Sequence, residues 1–293
     1  MTSELPSSDE LRAAINRDGF VRIRNAFGGE ELEKFRAAAR HAIELAKTGK
    51  WPYLRTLPKQ FPPWSSDPSQ GIWGVQHLLH PDMPEQKVFA ESYFNETMLE
   101  AITRLLQCSR DNLVMELYNM LVRPDRDFAL RWHRDDIAPD VSPEEELERL
   151  QEPMTHAQWN LALFEDLSLV VVPGSHKRAR TDMERGAGPY EDDMPGQRVV
   201  KMGPGDIMFY NNNILHRGVY DSTVERMTLH GTMGIVGTDK ARARNILQHG
   251  IGDWAAKADF NELSKDMREL AKGMQERLID MGNGGDVGYS QAD

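Results

Sequence analysis

At "LVMELYNMLVRP", residues 113–124, the texture of the chain changes. Upstream, apolar residues recur at helical spacing; from Leu113 they gather into short runs rich in branched side chains, as strands require. Similar runs follow in "FALRWH" (128–133), "AQWNLALFE" (157–165), "LSLVVVPG" (167–174), "QRVVKMGPG" (197–205), "DIMFYN" (206–211) and "RMTLHGTMGIV" (226–236). Gly and Pro turns separate them, and apart from one acidic, helix-like insertion, "APDVSPEEELERLQEP" (138–153), no helices intervene. A parallel α/β sheet needs such helices, so the pattern predicts a sandwich or barrel, with a jelly roll favoured.

Toward the amino terminus the pattern is helix, strand, helix: "SSDELRAAINRDG" (7–19), "FVRIRNAF" (20–27) and "GGEELEKFRAAARHAIELAKTG" (28–49). Residues 50–86 interleave seven prolines with Trp51, Tyr53, Trp64 and Trp73, and read as a long surface loop. Such a loop is either a lid over a binding site or an aromatic cover for the helices beneath it. Helical spacing returns at 87–110 and again at 253–281, and the polar tail after residue 281 is expected to be mobile. The expected layout is a single domain over 1–293: a helical part at about 8–110, a jelly-roll core at about 113–237 and a helical part at about 240–281.

The 293 residues carry a formal charge of -11 and no block of Lys or Arg, which argues against nucleic acid as a partner. The densest basic cluster, Lys177, Arg178 and Arg180, reads as a solvated turn, with a phosphate site as the alternative. No apolar run is long enough to cross a bilayer, and the start of the chain has no signal-like apolar segment. With a single cysteine, Cys108, no internal disulfide can form; an inert buried thiol, a reducing compartment and a cytoplasmic location are expected. Met267, Met274 and Met281 recur every seven residues and read as a packing stripe, with a homodimer contact as the alternative.

The chemistry concentrates in "RWHRDD" (131–136). His-Arg-Asp also opens the catalytic loop of protein kinases, but the asparagine needed five residues beyond that aspartate is Asp140 here, and no glycine-rich loop, strand lysine or DFG is found. Residues two apart on an extended strand project to one face, so His133 and Asp135 can present an imidazole and a carboxylate to one ion, with Arg134 turned away. A second histidine completes the facial triad of a non-haem iron(II) oxygenase. "GPGDIMFYNNNILHRG" (203–218) offers His216, at the end of a strand launched by a Pro-Gly-Asp turn. Ten residues on, Arg226 supplies a guanidinium suited to a carboxylate, with Thr228 and His230 on the same strand face.

Other histidines compete less well. "HPD" at 80–82 repeats the His-x-Asp spacing but lies in the proline-rich segment; His230 with Arg242 reads as a buried, hydrogen-bonded neighbour of the site. His176 follows a Pro-Gly-Ser turn and reads as structural, and His77 is open to either use.

Over residues 10–235 the ordered set "RDGFVRIRNAF", "MLVRP", "WHRDD", "VVVPGSHK", "GDIMFYNNNILHRG" and Arg226 resembles the phytanoyl-CoA dioxygenase family of iron(II)/2-oxoglutarate oxygenases. The resemblance implies a double-stranded β-helix, a cupin-like jelly roll with flanking helices. It implies iron(II) held by His133, Asp135 and His216, and 2-oxoglutarate anchored through Arg226, with Arg123 and Trp159 beside it. The implied reaction uses O2, releases succinate and CO2, and oxidises an apolar small molecule such as a specialised metabolite, by hydroxylation, desaturation or rearrangement. An acyl-CoA hydroxylase and a catalytically silent jelly-roll binding protein are the alternatives. The chain departs from the family's type member at Arg134, where that protein has glutamine, in a shorter turn before "LVVVPGSHK", and in the 138–153 insertion.

Overall fold

The computed structural model describes residues 4–238 and 240–284. Its helices and strands run α1 (Ser8–Asp18), β1 (Phe20–Ile23), α2 (Gly29–Lys47), β2 (Leu54–Thr56), β3 (Ile72–Val75), α3 (Gln86–Tyr93), α4 (Glu96–Leu106), β4 (Leu113–Val122), β5 (Phe128–Ala129), α5 (Pro143–Leu150), β6 (His156–Ala162), β7 (Leu169–Val171), α6 (Asp182–Gly186), β8 (Arg198–Val199), β9 (Ile207–Tyr210), β10 (His216–Tyr220), β11 (Met227–Ile235), α7 (Lys240–Ile246), α8 (Gly252–Ala255) and α9 (Lys265–Met281). A π-helical turn at Leu247–Ile251 joins α7 to α8. The expected mobile tail lies, beyond residue 284, outside the described residues.

The strands form two antiparallel sheets, one of seven strands in the order β1-β9-β6-β11-β4-β3-β2 and one of four in the order β5-β10-β7-β8. This is the jelly roll expected from the strand texture. Local chemistry sets the first elements. Ser7 caps α1 in a reciprocal box with Glu10, and Gly19, at φ 85°, ends the helix in the left-handed region and turns the chain into β1. Gly205, at φ 83°, lies so close to the turn between β1 and α2 that a Cβ there would meet the Phe27 carbonyl oxygen at 2.0 Å.

One face of the large sheet carries the helices. Phe35, Ala39 and Ala42 of α2, Leu99 and Ile102 of α4, and Met274 and Leu278 of α9 share one cluster with Ala157, Trp159 and Leu161 of β6 and Leu229 of β11. The alternate residues of β6, Gln158 and Asn160, line a cavity of about 240 Å³ between the two sheets. The methionine stripe is engaged inside the chain: Met274 is buried, and Met267 and Met281 pack partly against the same cluster.

Three expectations need correction. Residues 50–86 are not one continuous surface loop, because β2 and β3 extend the large sheet and Trp51 and Trp73 are buried, while the stretch between the two strands stays irregular and lines the cavity through Gln60, Phe61, Pro62 and Trp64; proline spacing hid two strands too short to show alternation. His216 begins β10 instead of ending a strand, since Asn211–Asn213 turn the chain after β9. Beyond β5, residues 131–136 leave regular strand geometry and keep a single bridge, from His133 to His216.

Candidate active site

That bridge brings the two distant segments together. The His133 amide donates to the His216 carbonyl at 3.0 Å and the His216 amide to the His133 carbonyl at 3.0 Å, a closed antiparallel pair whose side chains must leave on one face. The imidazole centroids are 4.2 Å apart. Asp135 follows, its amide donating to the Asn212 carbonyl at 2.9 Å. Its Oδ1 lies 3.4 Å from His133 Nε2 and 3.6 Å from His216 Nε2.

Among the described residues these three form the cluster that could hold a metal ion, with their ligand atoms within 4.8 Å of one another. Their protonation suits a cation. His133 Nδ1 lies 2.8 Å from the Arg131 carbonyl and His216 Nδ1 2.8 Å from the Ile214 carbonyl. A carbonyl only accepts, so each Nδ1 carries a proton, and Nε2, the atom turned to Asp135, is the one left to ligate. Burial, and then the neighbouring His133, push the His216 imidazole down to about 4. Burial alone would raise Asp135, but His216, His133 and the Gln158 amide, which donates to Oδ2 at 2.8 Å, outweigh it and hold the carboxyl well below its usual range. Two imidazoles with Nε2 turned to one carboxylate, and open cavity beside them, fit iron(II).

Arg134, between the ligands, turns away from the cavity and is fully buried. Its Nε donates to Glu146 at 2.7 Å, Nη2 to the Arg178 carbonyl at 3.0 Å, and Nη1 to the carbonyls of Ser175, at 3.0 Å, and Asn213. Glu146 sits on α5, inside the 138–153 insertion, and also holds Arg180 and Arg185. The insertion is therefore a brace behind the site; none of its residues lines the cavity. Arg178 pairs with Glu184. Two of the three side chains in the basic cluster are thus spent internally, which removes the motive for an acyl-CoA phosphate site there.

Arg226 reaches the cavity from the start of β11 and is nearly fully buried. Its Nε donates to Asp166 at 3.0 Å, its guanidinium carbon lies 4.4 Å from the Tyr220 ring centroid, and its buried Nη1 has no partner. A buried donor left open beside a metal-ligand cluster suits a carboxylate of a chelating co-substrate. Thr228 shares its strand face but gives its hydroxyl to Asp166 at 2.5 Å, so it braces the arginine's partner instead of lining the cavity.

Two further expected pocket residues are elsewhere. Trp159 points to the helical side: its ring lies over Gly231, where a Cβ would come within 2.4 Å of it, and it packs against Tyr93, Tyr118 and Phe209. Strand alternation decides this, since Gln158 and Asn160 take the cavity face. Arg123 lies just beyond the end of β4, is exposed and does not line the cavity. His80 and His77 belong to an aromatic cluster with Tyr53 and Trp254, apart from the triad. His230 lines the cavity with Nδ1 2.9 Å from the Asn160 Oδ1, and burial, then Arg55, push it down to about 3. Arg242 lines the cavity too, forked onto Glu116.

The wall is only half apolar. Phe61, Pro62, Trp64, Leu121 and Leu130 form one part; Arg55, Gln60, Gln76, Asn119 and Asn160 form another. An apolar substrate was expected from the aromatic residues of the proline-rich segment, whose arginine and glutamines face the same space. Arg55, Gln60, Gln158 and Asp166 are site residues the sequence reading missed; the polar positions alternating through β6 were the available signal for Gln158.

Among solved structures the chain is similar to AviO1 from Streptomyces viridochromogenes Tue57, at 17% identity over 80% of this chain and 98% of that one, with a TM-score of 0.56. It is similar to EctD from S. alaskensis with 2-oxoglutarate and 5-hydroxyectoine, at 18% identity over 80% and 79% of the chains, TM-score 0.57. HygX from Streptomyces hygroscopicus, with nickel, 2-oxoglutarate and hygromycin B bound, matches at 18% identity over 78% and 87%, TM-score 0.54. At such identities the likeness establishes the shared fold. No curated protein sequence matches. The family model for phytanoyl-CoA dioxygenase matches residues 15–223, and the chain belongs to that family of iron- and 2-oxoglutarate-dependent oxygenases.

Proposed function

We propose that the protein oxidises a C–H bond of a small, partly polar molecule, with 2-oxoglutarate and O2 consumed and succinate and CO2 released. The observation that carries this reading is the placement of His133, Asp135, His216 and the open donor of Arg226 on one cavity. His133 and His216 would hold iron through Nε2 and Asp135 through a carboxylate oxygen. Bound there, iron supplies the activation of dioxygen that couples oxidative decarboxylation of the co-substrate to attack on the substrate.

The chain's own work is positioning. Gln158 fixes the Asp135 carboxylate, and Asp166 sets the plane of Arg226 so that Nη1 meets the distal carboxylate of 2-oxoglutarate. Phe61, edge-on to His133 at 5.8 Å between centroids, covers the ligands with the rest of the 60–64 segment and limits water at the reacting centre. Hydroxylation is the outcome expected when no second group in the cavity diverts the substrate.

The test is succinate formation by protein reconstituted with iron(II) under anaerobic conditions and then exposed to O2 and 2-oxoglutarate. Turnover by the wild type, lost in His133→Ala with an unchanged circular dichroism spectrum, is the expected result. Co-substrate binding without any succinate would make the protein a silent binding module.

A further inference from the structure

The cavity contains a second set of unsatisfied donors, remote in sequence from Arg226. Arg55, on β2, lines it with a buried Nε that has no hydrogen-bond partner. Gln60, nine-tenths buried, lines it as well. Its Oε1 accepts from the Arg131 amide at 2.8 Å, which fixes the orientation of the side-chain amide and leaves Nε2 as the free end; that Nε2 is buried and also lacks a partner.

Arg55 differs from the other arginines on this wall in its charge balance. Arg226 is paired with Asp166 and Arg242 with Glu116. Among the described residues, no carboxylate lies within ion-pair distance of Arg55. Its guanidinium is held between aromatic faces, 5.2 Å from the ring centroids of both Trp64 and Trp73. Its path to the cavity is built in: Arg55 pairs with Gly74 across β2 and β3, and a Cβ at Gly74 would fall 2.9–3.1 Å from Arg55 Cδ, Cβ and Cγ. A glycine at that register lets the side chain cross β3. An arginine so placed, without an ion-pair partner and with Asp135 only at longer range, is arranged for an oxyanion on a cavity that an oriented amide donor also lines. One unpaired positive charge matches a monoanion; a phosphate dianion would want a second, and the neighbouring arginines are already neutralised.

We propose that Arg55 and Gln60 form a carboxylate-binding site for the primary substrate, which makes that substrate a small carboxylic acid. This rests on the oxygenase reading above and narrows its substrate class. The chemistry would serve equally for a carboxylate of 2-oxoglutarate, so the experiment must separate the two sources.

The protein is loaded with zinc(II) and saturated with 2-oxoglutarate, and binding of benzoate and of its uncharged analogue benzamide is followed by ligand-observed NMR. The wild type is expected to prefer benzoate by about tenfold or more, as for a charged hydrogen bond. Arg55→Gln should abolish the preference, Arg55→Lys should restore part of it, and 2-oxoglutarate affinity should stay within about twofold. Should Arg55→Gln fail to fold, Gly74→Ala, which displaces the arginine from its groove, should give the same loss. Equal binding of acid and amide by the wild type, or no binding of either into the millimolar range, overturns the proposal. So does an Arg55→Gln variant that loses 2-oxoglutarate and keeps benzoate, which would hand the residue to the co-substrate. Succinate formation by the wild type, measured separately, reports on the oxygenase reading alone.

Discussion

Arg134→Met tests whether a residue turned away from the cavity builds the metal site. The side chain is fully buried, and burial, opposed by Glu146, lowers its guanidinium to about 10, so it is charged at neutral pH. Removing it leaves Glu146 still paired with Arg180 and Arg185, so that carboxylate is not stranded. The Ser175 carbonyl still accepts from the Arg178 amide. The Asn213 and Arg178 carbonyls, in contrast, lose the guanidinium that serves them. Each stranded acceptor is only partly buried, so at up to about 1–3 kcal/mol apiece the expected loss is about 2–4 kcal/mol, near the lower end of the roughly 3–5 kcal/mol typical of a broken buried ion pair.

The local effect is more specific. Arg134 clasps Asn213, three residues before His216, while its own backbone joins His133 to Asp135. Loosening that clasp should weaken metal binding by about 10–100-fold, the range for groups that orient ligands without touching the ion. Urea unfolding of metal-free protein measures the first effect, and zinc(II) titration under conditions where the variant is folded measures the second. A stability loss under about 1 kcal/mol, or unaltered metal affinity in the folded variant, refutes the reasoning.

Arg226→Gln should raise the KM for 2-oxoglutarate by roughly 10–150-fold, the worth of a charged hydrogen bond, with zinc affinity unchanged; steady-state succinate assays and metal titration check this. Trp159→Ala should cost about 3–5 kcal/mol in urea unfolding, as a large core truncation, and should leave the KM for 2-oxoglutarate of the folded fraction untouched. His230 supplies a pH signature. Its folded pKa, about 3, lies below the ordinary unfolded value near 6.5, so the unfolded state binds the proton first. Its contribution is complete above about pH 6.5 and is lost as pH falls toward 3, with a slope of up to about 1.36 kcal/mol per unit. Metal-free His230→Gln should show an unfolding free energy less steep by about that amount between pH 6 and 4; parallel curves for variant and wild type would remove the burial argument.

The long β-rich half of the fold was legible because β4, β6 and β11 are central strands with enough residues to show their texture. β2 and β3, with three and four residues, were not, since strands that short have no period to detect and proline dominated their surroundings. The register of β6 held more information than the sequence reading drew from it. Ala157, Trp159 and Leu161 alternate with Gln158 and Asn160, and an alternation of that kind already assigns the tryptophan to the core. Arg55 was out of reach for a different reason: its usefulness depends on Gly74 lying opposite it, a pairing across a segment with no recognisable hairpin turn.

Since each histidine's main chain completes the ladder rung of the other, the two imidazoles share one seam between strands. Unzipping that rung separates both nitrogen donors together, so the centre has no stage in which one imidazole is in place and the other is absent. Any ion seated there is a rivet through the seam: its departure and the parting of the two chain segments become linked events, and whatever stiffens the roll at that point also retains the ion.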